Sequence, residues 1–144
     1  MTQSHEAPIT PAAQTFFPSM RYLDAREAIA WLERVFGART IAAHDGPGGE
    51  PVHVEMSLAG NTFMFGQDRP DGDAVRSPKV AGTLTGGVYV VLPDAAAVDA
   101  LHARARDAGA TIVLQPYDTD YGSHDFTATD LDGHIWRFGT YRPS

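Results

Sequence analysis

Cysteine is absent from this chain of 144 residues. The sequence therefore excludes disulfides, thiolate metal sites and a cysteine nucleophile. Long hydrophobic runs are missing as well, because no apolar stretch approaches the ~20 residues that a membrane-spanning helix needs. No charged segment followed by an apolar stretch opens the chain, so we expect no secretory signal and no membrane partner. A cytoplasmic protein is the expectation.

Positive charge is scarce. Lys and Arg number 11 against 18 Asp and Glu, which gives a formal net charge of −7. Nucleic-acid partners favour a basic surface, so the charge balance argues against them. It leaves room for a cationic ligand, although solubility alone would also explain it. A hydrophobic content of 43% at this length is typical of a single compact domain with a real core.

What the chain does contain is an internal repeat. Asp24 opens a predicted helix that ends at Gly37, and Asp94 opens a second one that ends at Gly109. In each helix the aspartate is a favourable N-cap and the glycine a favourable stop. Matching positions in the two halves are offset by 70 to 73 residues. A slowly drifting offset indicates two copies of one structural unit, with small insertions in the second copy.

Each copy reads as a strand, a helix and three strands. The first βαβββ module spans residues 14–66 and the second spans 85–144, so that 14–144 form one domain. Residues 67–84, rich in Pro, Gly and Asp, are predicted to be the linker between the modules. Residues 1–13 are predicted to be a flexible N-terminal arm.

The predicted fold class is α+β. In one βαβββ unit the helix covers a single face of the sheet, and the other face needs a partner. Two tandem units can therefore pair into a curved half-barrel sheet around a cleft.

Two stretches of the chain resemble a known family. "DAREAIAWLERVFGA" is similar to the first helix, and "DFTATDLDGHIWRFGTY" to the last hairpin, of the vicinal oxygen chelate superfamily. This superfamily includes glyoxalases, extradiol dioxygenases and bleomycin-resistance proteins, and paired βαβββ units are its hallmark. The resemblance covers nearly the whole chain. It implies the fold more than any one activity, because the superfamily hosts many chemistries.

Metal-dependent members of that superfamily hold a divalent ion with four side chains, two from each half. The matching positions here are Phe17 and Gly87 on the first strands, or Val88 if the register slips, and Met64 and Arg137 on the closing strands. None of these side chains is a plausible ligand for a hard divalent ion, and the fixed charge of Arg137 would repel a cation. The resemblance therefore implies a bleomycin-resistance-like, metal-free branch with no cofactor.

Strand alternation predicts which residues line the cleft. Phe63, Phe65, Trp136 and Phe138 are expected to face the helices, so the alternate positions face the cleft. The predicted ligand-binding residues are Phe17, Ser19, His53, Glu55, Met64, Tyr89, Tyr121, Asp125 and Arg137. No catalytic residue can be assigned from this pattern.

The ionisable members of this set allow several interpretations. Glu55 and Arg137 could bind opposite ends of a zwitterionic ligand, or they could form a structural salt bridge. His53 and Glu55, two residues apart on one strand, could act as a general acid and base. With Asp125 they could instead hold a metal at a site unlike that of the family. A solvated polar face is the simpler interpretation.

Two other histidines and one loop complete the candidates. His124 and His134 are predicted to be structural. The loop Tyr117–Gly122 could cover a flat ligand, since its aromatic rings stack on planar groups and its carboxylates favour cations. An ordinary surface loop is the alternative.

The sequence thus leads to a main hypothesis and two alternatives. The main one is a small-molecule binding protein of the bleomycin-resistance type, which sequesters a planar or cationic ligand and confers antibiotic resistance in some relatives. A metal-dependent lyase, isomerase or dioxygenase using His53, Glu55 and Asp125 is the first alternative. A metal-free enzyme with Glu55 or His53 as base is the second. A homodimer is expected in each case.

Overall fold

The computed structural model describes residues 14–70 and 75–143. The predicted N-terminal arm, residues 1–13, lies outside the described residues. The first module consists of β1 (Ser19–Tyr22), α1 (Ala25–Phe36), β2 (Arg39–Asp45), β3 (Pro51–Leu58) and β4 (Asn61–Gln67). Within the predicted linker lies a short helix, α2 (Pro78–Ala81). The second module consists of β5 (Gly87–Val91), α3 (Ala95–Asp107), β6 (Thr111–Asp118), β7 (His124–Thr129) and β8 (Ile135–Gly139).

The two modules share one sheet topology. The strand order is β1-β4-β3-β2 in the first sheet and β5-β8-β7-β6 in the second. β1 pairs in parallel with β4, and β5 in parallel with β8, whereas the remaining pairs are antiparallel. This confirms the predicted α+β fold with two tandem βαβββ modules. The sheets stay open and do not close into a barrel.

The helix starts follow the predicted capping chemistry. The Asp24 carboxylate accepts the Glu27 N–H at 3.1 Å, and the Asp94 carboxylate accepts the Ala97 N–H at 2.8 Å. α1 ends where Gly37 adopts a left-handed conformation with φ of 75°, which costs glycine little. None of the described helices has the length and apolar character needed to cross a membrane.

β6 is longer than the sequence predicts. The sequence predicts a loop that begins at Tyr117, whereas the strand continues to Asp118. The pairing with β7 shifts register on both sides of Leu114. These bulges break the apolar alternation, and Pro116 cannot donate to the ladder, so the strand looked shorter than it is.

The two helices lie between the two sheets. α1 contacts α3, and the ring of Phe36 contacts Trp136 at 5.3 Å and Phe138 at 5.1 Å between ring centroids. Phe63 of the first sheet also reaches Trp136, at 5.3 Å. The large buried side chains of this single core are Tyr22, Leu32, Val35, Phe36, Val54, Met56, Phe63, Phe65, Val98, Phe126, Trp136 and Phe138. The predicted helix-facing positions are thereby confirmed, and the other face of each sheet points outward.

A buried carboxylate joins the modules at one end of this core. Asp130 accepts hydrogen bonds from the Tyr22 hydroxyl at 2.6 Å and from the Trp136 indole N–H at 3.0 Å. Its second oxygen accepts the backbone N–H groups of Asp132 and His134. Burial raises the pKa of Asp130. Burial also raises the pKa of Tyr22, and the charge of Asp130 adds to that rise.

The rest of the same turn binds the first module and the linker. Asp132 accepts the backbone N–H of Leu23 at 2.7 Å and the hydroxyl of Ser77 at 2.5 Å. The His134 ring lies 2.8 Å from the Arg21 carbonyl, which can only accept, so its Nε2 donates. The turn of the last hairpin, residues 130–134, therefore holds the two modules together, and we call it the clamp. His134 has the predicted structural role.

His124 links three elements of the second module. Its ring nitrogens each lie 2.7 Å from a carboxylate oxygen, one of Asp99 on α3 and one of Asp118 at the end of β6. The hydrogen bond to Asp99 is the largest cause of a raised pKa of His124, and the hydrogen bond to Asp118 raises it further. Its role is also structural, as predicted.

Removal of the Tyr22 hydroxyl tests how much the clamp contributes to stability. Tyr22→Phe leaves the ring contacts with Phe65 and His134 in place but removes one donor from Asp130. We expect the free energy of unfolding to fall by about 1–3 kcal/mol, the usual range for a buried polar partner. Denaturant unfolding measures it, with the exposed Tyr117→Phe as the matched control. An equal effect of the two variants would contradict the clamp.

His124 gives a pH-dependent prediction. Because the folded state favours its protonation, the contribution of His124 to stability is full below its ordinary pKa of 6.5 and is lost as pH rises through the raised pKa. Asp99→Asn is expected to lower the pKa of His124, measured by NMR titration of its ring protons. Asp107→Asn, at an exposed position on the same helix, should leave it unchanged. An unaltered titration in Asp99→Asn would show that Asp99 does not hold the proton.

Candidate functional site

The outward face of the first sheet carries most of the predicted site residues of the first module. Ser19, Met64 and Glu55 lie side by side on β1, β4 and β3. His53, two residues before Glu55, lies on the same side of β3. Phe17 is exposed just before β1 begins. We call this surface the first outward face.

Glu55 already has a hydrogen-bond partner on this face. Its Oε2 lies 2.8 Å from Nε2 of His53, and the two side chains are 38% and 43% exposed. The ring of His44 stacks on that of His53, with centroids 6.0 Å apart. A hydrogen-bonded pair this open to water contributes at most about 1 kcal/mol. It leaves a negative carboxylate accessible to a cationic group.

The outward face of the second sheet carries a positive group at its centre. Arg137 of β8 lies between Tyr89 of β5 and Thr127 of β7. Its side chain is exposed, and within residues 14–70 and 75–143 no hydrogen bond or ion pair engages it. Glu55 lies on the other side of the core, so one chain does not bring together the predicted Glu55–Arg137 pair. We call this surface the second outward face.

A cavity opens beside Arg137. It has a volume of about 350 Å³ and is lined by residues 84–89, Ile135 and Arg137. A second cavity of about 560 Å³, toward α2 and the start of β1, shares residues 84–88 with it. Volumes of this order are typical of sites for small molecules.

Asp125 lies deeper on the second outward face. It pairs with Gly139, and the Ser123 hydroxyl donates a hydrogen bond to its Oδ1. A Cβ at Gly139 would collide with the Asp125 carboxylate and lie 2.7 Å from the Tyr89 hydroxyl. Both groups therefore lie against β8 at a position where only glycine leaves them room. The Tyr89 hydroxyl donates to the Tyr141 carbonyl at 2.7 Å. Burial raises the pKa of Tyr89, and the negative charge of Asp125 also raises it.

Aromatic rings border this end of the face. Tyr121, 60% exposed, contacts Tyr141 edge to face with centroids 5.6 Å apart. The loop that carries Tyr121 therefore adjoins Tyr89 through Tyr141, which places the predicted Tyr121 beside the rest of the second outward face.

Three residues of this surface were not among the predicted site residues. Ser123 and Thr127 flank Asp125 at alternate positions, and Tyr141 continues the alternation of Arg137 and Gly139. Strand alternation already places Thr127 on this side of β7, and it would have found Ser123 and Tyr141 had it been extended past the ends of β7 and β8.

The four positions that the resemblance assigns to metal ligands do not fit a divalent ion here. Met64 lies mid-strand on the first outward face and Arg137 on the second, while Phe17 and Gly87 lie at the starts of the β1 and β5 regions. A phenyl ring, a thioether, a guanidinium and a missing side chain provide no oxygen or imidazole ligand. The guanidinium puts a fixed positive charge at a position for which the resemblance implies a carboxylate.

The other proposed metal ligands are not brought together either. His53 and Glu55 lie on the first outward face, whereas Asp125 lies on the second. Throughout the part of the chain that the structure describes, no three His, Asp or Glu side chains are grouped as a metal site would require.

Known proteins share this architecture. An uncharacterised protein of Mycobacterium bovis is 30% identical over 118 residues, which cover 81% of this chain and 76% of that protein. The crystal structure of TioX from Micromonospora sp. ML1 matches with a TM-score of 0.72 at 27% identity, covering 90% of this chain and 99% of TioX.

A third match has lower identity. A mutant of the fosfomycin resistance protein FosX from Listeria monocytogenes has a TM-score of 0.64 at 13% identity, covering 90% and 91% of the two chains, and shows the fold alone. The model of the Glyoxalase/Bleomycin resistance protein/Dioxygenase superfamily matches residues 18–138. With its paired βαβββ modules and a family match over most of its length, the chain belongs to this superfamily.

Proposed function

We propose that this chain is a metal-free, cytoplasmic small-molecule binding protein of the bleomycin-resistance type, which sequesters a planar or cationic ligand on its outward faces. The observation that carries the proposal is the exposed guanidinium of Arg137, at the centre of the second outward face and at the position of a family metal ligand. A divalent ion would be repelled there, whereas an uncharged planar group would stack on the guanidinium, and the cationic part of a ligand would instead lie beside Glu55 on the first outward face.

The remaining chemistry of the two faces supports such a ligand. Tyr89, Tyr121 and Tyr141 provide rings that stack on planar groups and attract cations. Glu55 adds a negative charge on the first outward face. The net charge of −7 draws cationic molecules to the protein and disfavours nucleic acid.

A homodimer would complete the site. The two outward faces of one chain point away from each other, so each is half of a cleft. In a symmetric dimer the first outward face of one copy can oppose the second outward face of the other. Ile41 and Val113, exposed by 54% and 50%, and Leu114, exposed by 45%, lie on the edge strands β2 and β6, where a second copy could cover them.

Sedimentation equilibrium tests the dimer. The expected mass is about twice the 15.5 kDa of one chain. Val113→Glu should shift the population toward monomer, because it places a charge in the covered edge. Val80→Glu, exposed on α2, is the matched control and should not. A wild-type protein that sediments as a monomer at tens of micromolar would exclude the arrangement.

Isothermal calorimetry tests the ligand class. The panel contains acridinium, phenanthridinium and alkylammonium cations with uncharged aromatic analogues. We expect micromolar binding of planar cations, and Glu55→Gln should weaken it about fivefold, since an exposed charge pair is worth about 1 kcal/mol. Glu33→Gln removes the same charge from the exposed side of α1 and should have no effect.

Metal analysis is the control for the same titration. Binding should be unchanged after dialysis against EDTA, and elemental analysis should find no stoichiometric metal. Stoichiometric Ni, Zn, Mn or Fe in protein purified without chelators would favour the metal-dependent alternative. Absence of binding across the whole panel would count against the proposal itself.

A further inference from the structure

Two buried polar atoms on the second outward face have no hydrogen-bond partner among the described residues. They are Oδ2 of Asp125 and Oγ1 of Thr127. The two residues are only 1% and 3% exposed, although they alternate with the core residues Phe126 and Ala128 and therefore lie on the opposite face of β7. A third such atom, Nε2 of His102, belongs to α3, where the ring contacts Phe126 inside the protein. Most buried polar groups are paired, so two neighbouring exceptions on one face require an explanation.

The unpaired oxygen of Asp125 is held in place by its surroundings. The other carboxylate oxygen accepts the Ser123 hydroxyl, and Ser123 itself accepts the Tyr141 N–H at 3.0 Å. Gly139 leaves the space in which the carboxylate lies, and the Tyr89 hydroxyl occupies the other side of that space. The orientation of Oδ2 is thus set in advance, which is how a binding group avoids an ordering cost.

Arg137 does not satisfy this carboxylate. Arg137 pairs with Thr127 and Gly139 with Asp125 across β7 and β8. Arg137 and Asp125 are therefore diagonal neighbours, with Cα atoms roughly 7–8 Å apart. The long side chain could reach that far, yet it extends into solvent. The face therefore combines a recessed acceptor with an exposed cation a short distance away.

We propose that Asp125 and Thr127 bind the protonated amine of a zwitterionic ligand whose anionic group is bound by Arg137. The planar part of the ligand stacks beside Tyr89. This inference rests on the proposed function and names the ligand class of the same site: an aromatic amino acid or a similar small molecule with an amine and an acid a few ångströms apart. Glu55, already paired with His53, is then secondary for the amine.

Three indole probes separate the two charges. Tryptophan carries both, tryptamine only the amine, and indole-3-propionate only the acid. In calorimetry on the full chain, tryptophan should bind more tightly than either of the others. Asp125→Asn should weaken the binding of tryptophan and of tryptamine at least about tenfold, because a charge-assisted hydrogen bond to the amine is lost. The affinity for indole-3-propionate, which has no amine, should change by less than about twofold.

Thr127 provides a second, independent variant. Thr127→Val replaces an unpaired hydroxyl with a methyl group of similar size, so the melting temperature should stay the same or rise. Binding of tryptophan should nevertheless weaken at least about threefold, a combination that a purely structural hydroxyl would not show. Thr129→Val, on the same side of β7, is the matched control and should leave binding unchanged.

The outcomes separate this inference from the proposed function. Amine binding that is unaffected by Asp125→Asn and Thr127→Val overturns the inference, as does a fall in melting temperature in Thr127→Val without loss of affinity. If the wild type binds planar cations of the larger panel but none of the indole probes, the inference falls and the proposed function stands. If it binds neither set, both fall.

Discussion

The packing of Trp136 against Phe36 and Phe63 is the contact on which the rest of the structure depends. It joins the helix-covered faces of both modules in one core, and it therefore decides that the opposite faces point outward. Asp130 strengthens the same junction, since its carboxylate bonds Tyr22 of the first module and Trp136 of the second. Glu55 and Arg137 therefore lie on opposite sides of this core.

The two outward faces share a backbone arrangement and differ in the side chains that they carry. Gly66 and Gly139 occupy equivalent places on β4 and β8, and each lets a neighbouring side chain lie across the strand. Over Gly66 it is Arg21, whose Nη1 would be 2.6 Å from a Cβ there; over Gly139 it is Asp125 with Tyr89. The repeat thus preserves a position without a side chain on the inner strands β4 and β8. The neighbouring side chains that fill this space differ in charge between the two sheets.

At the positions where the resemblance implies metal ligands, the obstacle to a divalent ion is side-chain chemistry and not backbone geometry. The sheets have the family topology. The guanidinium at position 137 and the thioether at position 64 offer a hard cation no oxygen ligand. The proposed organic ligand suits the same side chains, because Arg137 can bind an anion or stack on a ring and Met64 is an adaptable apolar contact. In that proposal Asp125, recessed and bonded to Ser123, adds the opposite charge within reach of the same small molecule.

By itself the sequence determined the repeat, the Asp24 and Asp94 caps and the inward positions of Phe63 and Trp136. All of these follow from periodicity and capping, which are properties of one element. Only the tertiary structure decided that Glu55 and Arg137 lie on opposite sides of the core, that β6 continues past its bulges, and that Asp125 is buried with one oxygen unpaired. Strand alternation tells only on which side of a strand each residue lies. Which sides meet depends on contacts between residues about a hundred positions apart, such as Phe36 and Trp136.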